Sequence, residues 1–214
     1  MNEAIKLKKK YKIARDKLFN SLIINNDGFI FNNHHTKLVD DIVRDIVKNI
    51  IQKYSIDDFA LIAVGGYGRN DLSPKSDVDL LFLYKKSNKN IKNFITTLNN
   101  NLWDVGLEVG ISFLTLKQVI IDSKRDIKTV TKFAESRHLI GDEDYYGEFV
   151  RSIKILMGRL NPLKLSEKKL LELVERHDHY LGIKSNLEPQ IKEGIGGLRD
   201  IHTIIWVSIF MFNV

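Results

Sequence analysis

The sequence has no cysteine among its 214 residues, which excludes disulfide bonds and thiolate metal sites. The stretch Met1–Lys10 has no apolar core of the kind found in a signal peptide. The longest apolar run, from Ile204 to Phe212, is interrupted by Ser208 and is far shorter than the ~20 residues of a membrane-spanning helix. We therefore expect a cytoplasmic protein that has no membrane partner.

The chain carries a formal net charge of +6 and has a pI of about 9.3. Its basic residues are scattered, and no aromatic-rich basic strand or recognition helix stands out, so a nucleic-acid partner is disfavoured. The basic cluster formed by Lys6, Lys8, Lys9 and Lys10 is interpreted as a solvated helix face near the terminus.

Hydrophobic periodicity predicts a small sheet between helices. Apolar residues repeat at three and four from about Thr36 to Tyr54, which indicates an amphipathic helix, and a second helix is expected over Asn90–Val105. Continuous or alternating apolar runs predict strands at Phe59–Val64, Val78–Tyr84 and Leu107–Leu116.

No further strand is predicted after residue 117. Helices are expected over residues 126–140, 144–160 and 166–181, followed by a glycine-rich loop at Gly194–Gly197 and a helix from Leu198. The fold class is thus expected to be α+β, with a small mixed β-sheet flanked by helices and followed by a helical segment. Three divisions are predicted: a helical segment over 1–55, a core over 56–120 and a helical domain over 121–214. The last is expected to be truncated within a helix, because the sequence stops on apolar side chains without a helix stop signal.

Asp77 and Asp79 form the pattern in the sequence that most specifically indicates a chemical function. They open the second predicted strand at positions i and i+2, so their side chains point to one face, about 6.6 Å apart along the chain. Asp79 lies inside an otherwise apolar strand, where an unpaired charge is costly. Hard carboxylate oxygens suit Mg²⁺, and two such acids can serve a pair of metal ions in phosphoryl or nucleotidyl transfer.

The glycine turn between the two strands is a candidate phosphate site. Gly65 and Gly66 follow a buried strand, so that backbone N–H groups can approach a phosphate closely. Arg69 and Ser76 are candidates for hydrogen bonds to phosphate oxygens. For these two side chains, an ordinary structural role is an equally good interpretation.

These residues carry a resemblance to a known superfamily. Gly65-Gly66 followed by Ser76-Asp77-x-Asp79 resembles the signature of the DNA polymerase beta-like nucleotidyltransferases. Four blocks in order, VGGYGRNDLSPKSDVDLLFL, LWDVGLEVGIS, ESRHLIGD and NLEPQIKEGIGGLRDIHTIIW, resemble the N-terminal part of the bacterial PII uridylyltransferase/uridylyl-removing family. The likeness runs from about residue 36 to the end.

The resemblance implies a nucleotidyltransferase core that transfers UMP from UTP to a tyrosine hydroxyl of the nitrogen-regulatory protein PII and releases pyrophosphate, with Mg²⁺ as cofactor. By the same resemblance, Gly65, Gly66, Asp77 and Asp79 belong to the transferase site. The superfamily usually has a third carboxylate on a neighbouring strand, which serves as a metal ligand or base. Glu108 is the candidate, with a solvent-exposed strand-end acid as the equal alternative, and Asp104 is a weaker competitor.

Other polar residues near the end of the sequence are less specific. Arg199, Asp200 and His202 are expected either to close over the nucleotide or, as we favour, to attach their helix to the sheet. His177 and His179 are spaced i, i+2 on a helix, which points them apart and argues against a metal pair.

Two departures from the family pattern qualify these expectations. Ile111, Phe113 and Leu114 stand where the family's third strand tends to carry polar or basic residues, which leaves any nucleotide contact there open. The family proteins also continue into a UMP-removing HD-type domain and glutamine-sensing ACT domains, which this sequence does not include. Two alternatives therefore stay open: the same chemistry with another nucleotide or acceptor, such as adenylyl transfer, or an inactive nucleotide-binding remnant.

Overall fold

The computed structural model describes residues 3–87, 89–182 and 190–212, and within these ranges it has nine α-helices and four β-strands. The helices are α1 Glu3–Asn25, α2 Gly28–Tyr54, α3 Gly65–Gly68, α4 Lys89–Val105, α5 Leu116–Arg125, α6 Ile127–Ala134, α7 Glu143–Arg159, α8 Pro162–Gly182 and α9 Leu198–Phe212. The strands are β1 Phe59–Val64, β2 Val78–Tyr84, β3 Val109–Leu114 and β4 Ser136–Gly141.

The strands form one mixed sheet in the order β3-β2-β1-β4. β1 runs antiparallel to both of its neighbours, whereas β2 and β3 are parallel. The parallel pair is joined through α4, as a parallel connection requires a crossover. The α+β class and the mixed sheet are confirmed.

Helices cover both faces of the sheet, because alternate residues of its central strands are apolar on both sides. On one face, Phe59, Leu61, Leu80 and Phe82 pack in a core shared with α2 and α4. The opposite face forms a second core with α5, α6 and α7, whose sheet residues are Ala60, Ile62, Val64, Leu81 and Leu83. β1 is buried along its whole length, as its continuous apolar run predicted.

The prediction that no strand follows residue 117 is wrong. The helix expected over 126–140 ends at Ala134 as α6, and Ser136–Gly141 then pairs with β1 as the fourth strand. The segment Ser-Arg-His-Leu-Ile-Gly has a weak strand pattern, because it includes the charged Arg137. In the structure, Arg137 binds the buried Asp40.

Two element boundaries also differ from prediction, and capping explains both. α2 begins at Gly28, where the Asp27 side chain accepts a hydrogen bond from the Ile30 N–H at 2.9 Å, well before Thr36. β3 is shorter than predicted and ends at Leu114, because Thr115 forms a capping box with Gln118 that starts α5.

The apolar run near the end of the sequence forms α9. Trp206 and Phe210 of α9 pack with Leu165 of α8 in a small third core, and the ammonium of the buried Lys169 lies 4.2 Å from the centre of the Trp206 ring. None of the helices in the described ranges combines the length and the apolar composition needed to cross a membrane.

Candidate active site

The predicted site residues gather where β1 ends and the other three strands begin. Val64 closes β1 and pairs with Ser136 at the start of β4, while Val78 at the start of β2 pairs with Val109 at the start of β3. We call this part of the molecule the acidic end of the sheet. It joins residues that are distant in sequence, since all four strands meet there.

The glycine turn leaves the acidic end directly after β1. Gly65 has a φ of +60°, a conformation that glycine adopts without strain, and residues 65–68 make a single helical turn, α3. The glycine turn that the sequence predicts between the first two strands is therefore present in the structure. A glycine-rich turn of this kind allows a ligand to approach the backbone closely.

A buried network holds the turn in place from below. The Tyr67 hydroxyl donates to Asp40 Oδ1 at 2.7 Å, and the Arg137 guanidinium donates to both Asp40 oxygens at 2.6 and 3.0 Å. Burial and the neighbouring Asp40 carboxylate raise the pKa of Tyr67 well above its ordinary value. The phenol thus remains a donor at physiological pH, and α2 and β4 together fix α3.

Gly68 shows how tightly the turn packs against β4. A Cβ at this position would collide with the Glu135 carbonyl and lie 3.0 Å from the Ala63 carbonyl oxygen. Only a residue without a side chain allows the turn to approach the other strands so closely.

Asp79 lies directly beneath the glycine turn. A Cβ at Gly65 would be 3.6 Å from Asp79 Oδ2, and a Cβ at Gly110 on β3 would be 3.2 Å from Asp79 Oδ1. The carboxylate is 37% exposed, and the absence of a side chain at both glycines keeps the space beside its oxygens open. The structure brings Gly65 and Asp79 together, as the sequence predicted.

Lys132 of α6 reaches the same carboxylate. Its ammonium donates to Asp79 Oδ1 at 2.8 Å, and the two side chains are 35% and 37% exposed. The charge inside the apolar strand is therefore balanced by a lysine that sequence reasoning did not identify.

The other predicted acids and the serine lie in solvent. Asp77 is exposed directly before β2, and its side chain makes no hydrogen bond or ion pair in the described part of the chain. Ser76 is exposed in the preceding turn. Glu108 is exposed directly before β3, and its carbonyl accepts the Val78 N–H at 2.8 Å, which places it beside the start of β2. Asp104 is exposed in the last turn of α4.

The donor set of the acidic end suits Mg²⁺. The available groups are carboxylate oxygens, which this ion prefers, and it is usually held by one or two protein carboxylates with phosphate and water completing the shell. Among the residues that the structure describes, no three acidic or histidine side chains already form a closed metal site. Asp77 is exposed and the Asp79 side chain is 37% exposed, so both carboxylates can be reached from solvent.

Arg69 follows the glycine turn and pairs with Glu135, the residue between α6 and β4. The second Glu135 oxygen, Oε1, accepts the Trp206 Nε1–H at 2.7 Å, and Arg69 also contacts His202 Nε2 at 3.3 Å. α9 is thus attached to the glycine turn through Glu135. Arg69 as a phosphate ligand remains a prediction.

His202 is held neutral in this network. Burial, followed by the positive charges of Arg69 and Arg199, lowers the pKa of His202 to about 4. Nε2 faces the Arg69 donor, and Nδ1 is buried with no hydrogen-bond partner in the described ranges.

The remaining polar groups near α9 have structural contacts. Asp200 accepts hydrogen bonds from Arg176, from His177 at 3.0 Å and from the Gly196 N–H at 2.8 Å. These contacts join α8, the glycine loop and α9, in agreement with the favoured structural role. His177 binds Asp200, whereas His179 is exposed.

Comparisons with known proteins agree with this geometry. The family model described as "Nucleotidyltransferase domain" matches residues 43–142, and the model described as "GlnD PII-uridylyltransferase" matches residues 164–214. The first match begins within α2 and ends just after β4, so it contains the whole sheet and the acidic end.

Curated relatives carry the same assignment. The chain is 40% identical to the bifunctional uridylyltransferase/uridylyl-removing enzyme of Chromobacterium violaceum over 154 residues, which is 70% of this chain and 17% of that protein. It is 34% identical to the protein of the same description from Nitrosospira multiformis over 191 residues, or 86% of this chain and 21% of the relative. The chain thus spans about a fifth of the length of these relatives. It belongs to the family of bacterial uridylyltransferase/uridylyl-removing enzymes and carries their nucleotidyltransferase domain.

Proposed function

We propose that this chain transfers UMP from UTP to a tyrosine hydroxyl of a PII-type regulatory protein and releases pyrophosphate. The nucleotidyltransferase domain and the description of the relatives support this assignment. UTP, the PII acceptor and Mg²⁺ are parts of the proposal. The choice of uracil rests on the family relationship, and no side chain in the described ranges has been identified that selects this base.

One observation carries the proposal: the Asp79 carboxylate lies beneath the glycine turn and is 37% exposed, with no side chain at Gly65 or Gly110 to fill the space beside its oxygens. A phosphate bound at the turn would lie next to a group suited to a divalent cation. This combination supports the transfer of a nucleotidyl group, because a carboxylate next to bound phosphates can hold a divalent cation against them.

In the proposed reaction, the tyrosine oxygen attacks the α-phosphorus of UTP. The new P–O bond forms as the bond from the α-phosphorus to the bridging oxygen breaks, and pyrophosphate leaves with that electron pair. The phenolic proton passes to a base, for which Glu108 is the candidate because it lies beside the start of β2.

The other residues bind and orient the substrate. The N–H groups of the glycine turn hold phosphate oxygens, and the network of Tyr67, Asp40 and Arg137 keeps the turn rigid while they do so. Asp77 and Asp79 would hold Mg²⁺. When bound, this ion neutralises phosphate charge and stabilises the leaving oxygen.

The direct test incubates the purified chain with a PII protein, Mg²⁺ and labelled UTP, with ATP, CTP and GTP in parallel. Label on PII with UTP, and one pyrophosphate released for each label, is the expected result. Label from ATP in preference to UTP, or on a different acceptor, would replace the substrate assignment while keeping the chemistry. Nucleotide binding without pyrophosphate release would contradict the proposed function.

A further inference from the structure

Lys132 lies beside both the glycine turn and Asp79. Its stem passes the turn, since a Cβ at Gly65 would lie 3.9 Å from Lys132 Cγ, and its ammonium lies 2.8 Å from Asp79 Oδ1. Any triphosphate that spans from the turn to a cation on Asp79 must pass this ammonium.

The ammonium has unused binding capacity. A lysine carries three N–H donors, and in the described part of the chain Lys132 directs one of them to Asp79 and makes no other side-chain hydrogen bond. The group is 35% exposed, so a ligand can reach it. Lysine is well suited to phosphate as a compact positive charge.

We propose that Lys132 is a triphosphate-binding residue of this site, and that Asp79 holds it in position until a metal–nucleotide complex arrives. The inference depends on the proposed function, because it names a further group for the same substrate. When such a complex binds, the Lys132 ammonium would leave Asp79 and donate to a phosphate oxygen, and the Asp79 carboxylate would be free to hold the ion.

This arrangement predicts effects of opposite sign on two ligands. Lys132 competes with a metal ion for Asp79 when no nucleotide is present, so its removal strengthens the binding of the metal alone. The same removal takes a charged donor from the phosphates and weakens the binding of a triphosphate. Removal of a purely structural lysine would not change the affinities for the metal ion and for the triphosphate in opposite directions.

The experiment uses the full chain and three variants. Lys132→Met removes the charge, and Lys132→Arg keeps it. Lys128→Met is the matched control, because Lys128 lies one turn earlier on α6, is 68% exposed and pairs with Glu172 instead. Calorimetry measures binding of UTP and of pyrophosphate with Mg²⁺ present, and electron paramagnetic resonance measures binding of Mn²⁺ alone.

For Lys132→Met, we expect UTP and pyrophosphate to bind about tenfold more weakly, as for the loss of one charge-assisted hydrogen bond, while Mn²⁺ alone binds more tightly. Lys132→Arg should keep most of the triphosphate affinity, and Lys128→Met should match the unaltered chain.

Unchanged triphosphate affinity in Lys132→Met would overturn the inference and leave the proposed function intact. An equal loss of both ligands in Lys132→Met and Lys132→Arg would assign Lys132 a structural role and also overturn it. If the unaltered chain binds no nucleoside triphosphate, the proposed function fails and the inference fails with it.

Discussion

Arg69 and Glu135 lie 66 residues apart in the sequence and form an ion pair at the acidic end of the sheet. Arg69 belongs to the segment that leaves the glycine turn, and Glu135 joins α6 to β4. Because Glu135 also accepts the indole N–H of Trp206, one carboxylate connects the glycine turn, the fourth strand and α9. The glycine turn is therefore positioned by elements from both halves of the chain.

Replacing Glu135 should destabilise the fold. Its side chain is 11% exposed, so Glu135→Ala leaves the Arg69 charge and the Trp206 N–H without their partner, at a cost of about 2–3 kcal/mol. Glu135→Gln keeps an acceptor for Trp206 and should cost less. Urea unfolding measures both, with Glu175→Ala on the exposed face of α8 as the control. A Glu135→Ala variant as stable as the control would show that this connection does not support the fold.

Gly68 should not tolerate a methyl group. Gly68→Ala forces Cβ against the Glu135 and Ala63 carbonyls, and we expect a loss of about 2 kcal/mol or more from this overpacking. Gly158→Ala is the matched change, since it lies in α7 with open space around it and should stabilise by about 0.5–1 kcal/mol. Thermal unfolding compares the two, and equal melting temperatures would contradict the close approach of the turn to β4.

The free energy of unfolding should decrease as the pH is lowered, because of His202. Its pKa is lowered from 6.5 to about 4 in the folded chain, so the unfolded chain binds the proton more readily between these values. The neutral form of His202 thus contributes stability on the order of 2 kcal/mol above pH 6.5, and this stability is lost as the pH falls toward 4.

Burial is the largest cause of the lowered pKa of His202; the charges of Arg69, Arg199 and Lys192 also disfavour the proton, and Asp71 favours it. His202→Gln removes the titrating ring and should flatten the stability profile between pH 6.5 and 4 relative to the unaltered chain. Urea unfolding at a series of pH values measures the difference. Parallel profiles would mean that His202 titrates normally.

Local patterns in the sequence were sufficient to predict the two central strands of the sheet. The strands Phe59–Val64 and Val78–Tyr84 match their predicted bounds, because each is a short apolar run between strong chain breakers. Asp79 and Gly65 are close for the same reason, since an antiparallel pair of strands brings the end of β1 beside the start of β2.

The parts that sequence reasoning missed depend on contacts between distant segments. β4 carries Arg137 and His138, which weaken its strand pattern, and its pairing with β1 is set by the tertiary fold. Lys132 is one of many lysines, and nothing in its neighbourhood distinguishes it; its partner Asp79 is 53 residues away. For Arg69, a phosphate contact and a structural role are equally good interpretations of the sequence, and no local pattern indicates its partner in the structure, Glu135.

The most direct test of the central claim measures pyrophosphate release by Asp77→Asn and Asp79→Asn in the presence of UTP, PII and Mg²⁺. Asparagine keeps the size of each side chain and removes the charge that would hold the metal, so we predict a loss of about a hundredfold or more in each variant. Asp178→Asn, an exposed position on α8, should retain full activity. Release at the normal rate by either site variant, with its fold intact, would contradict the account.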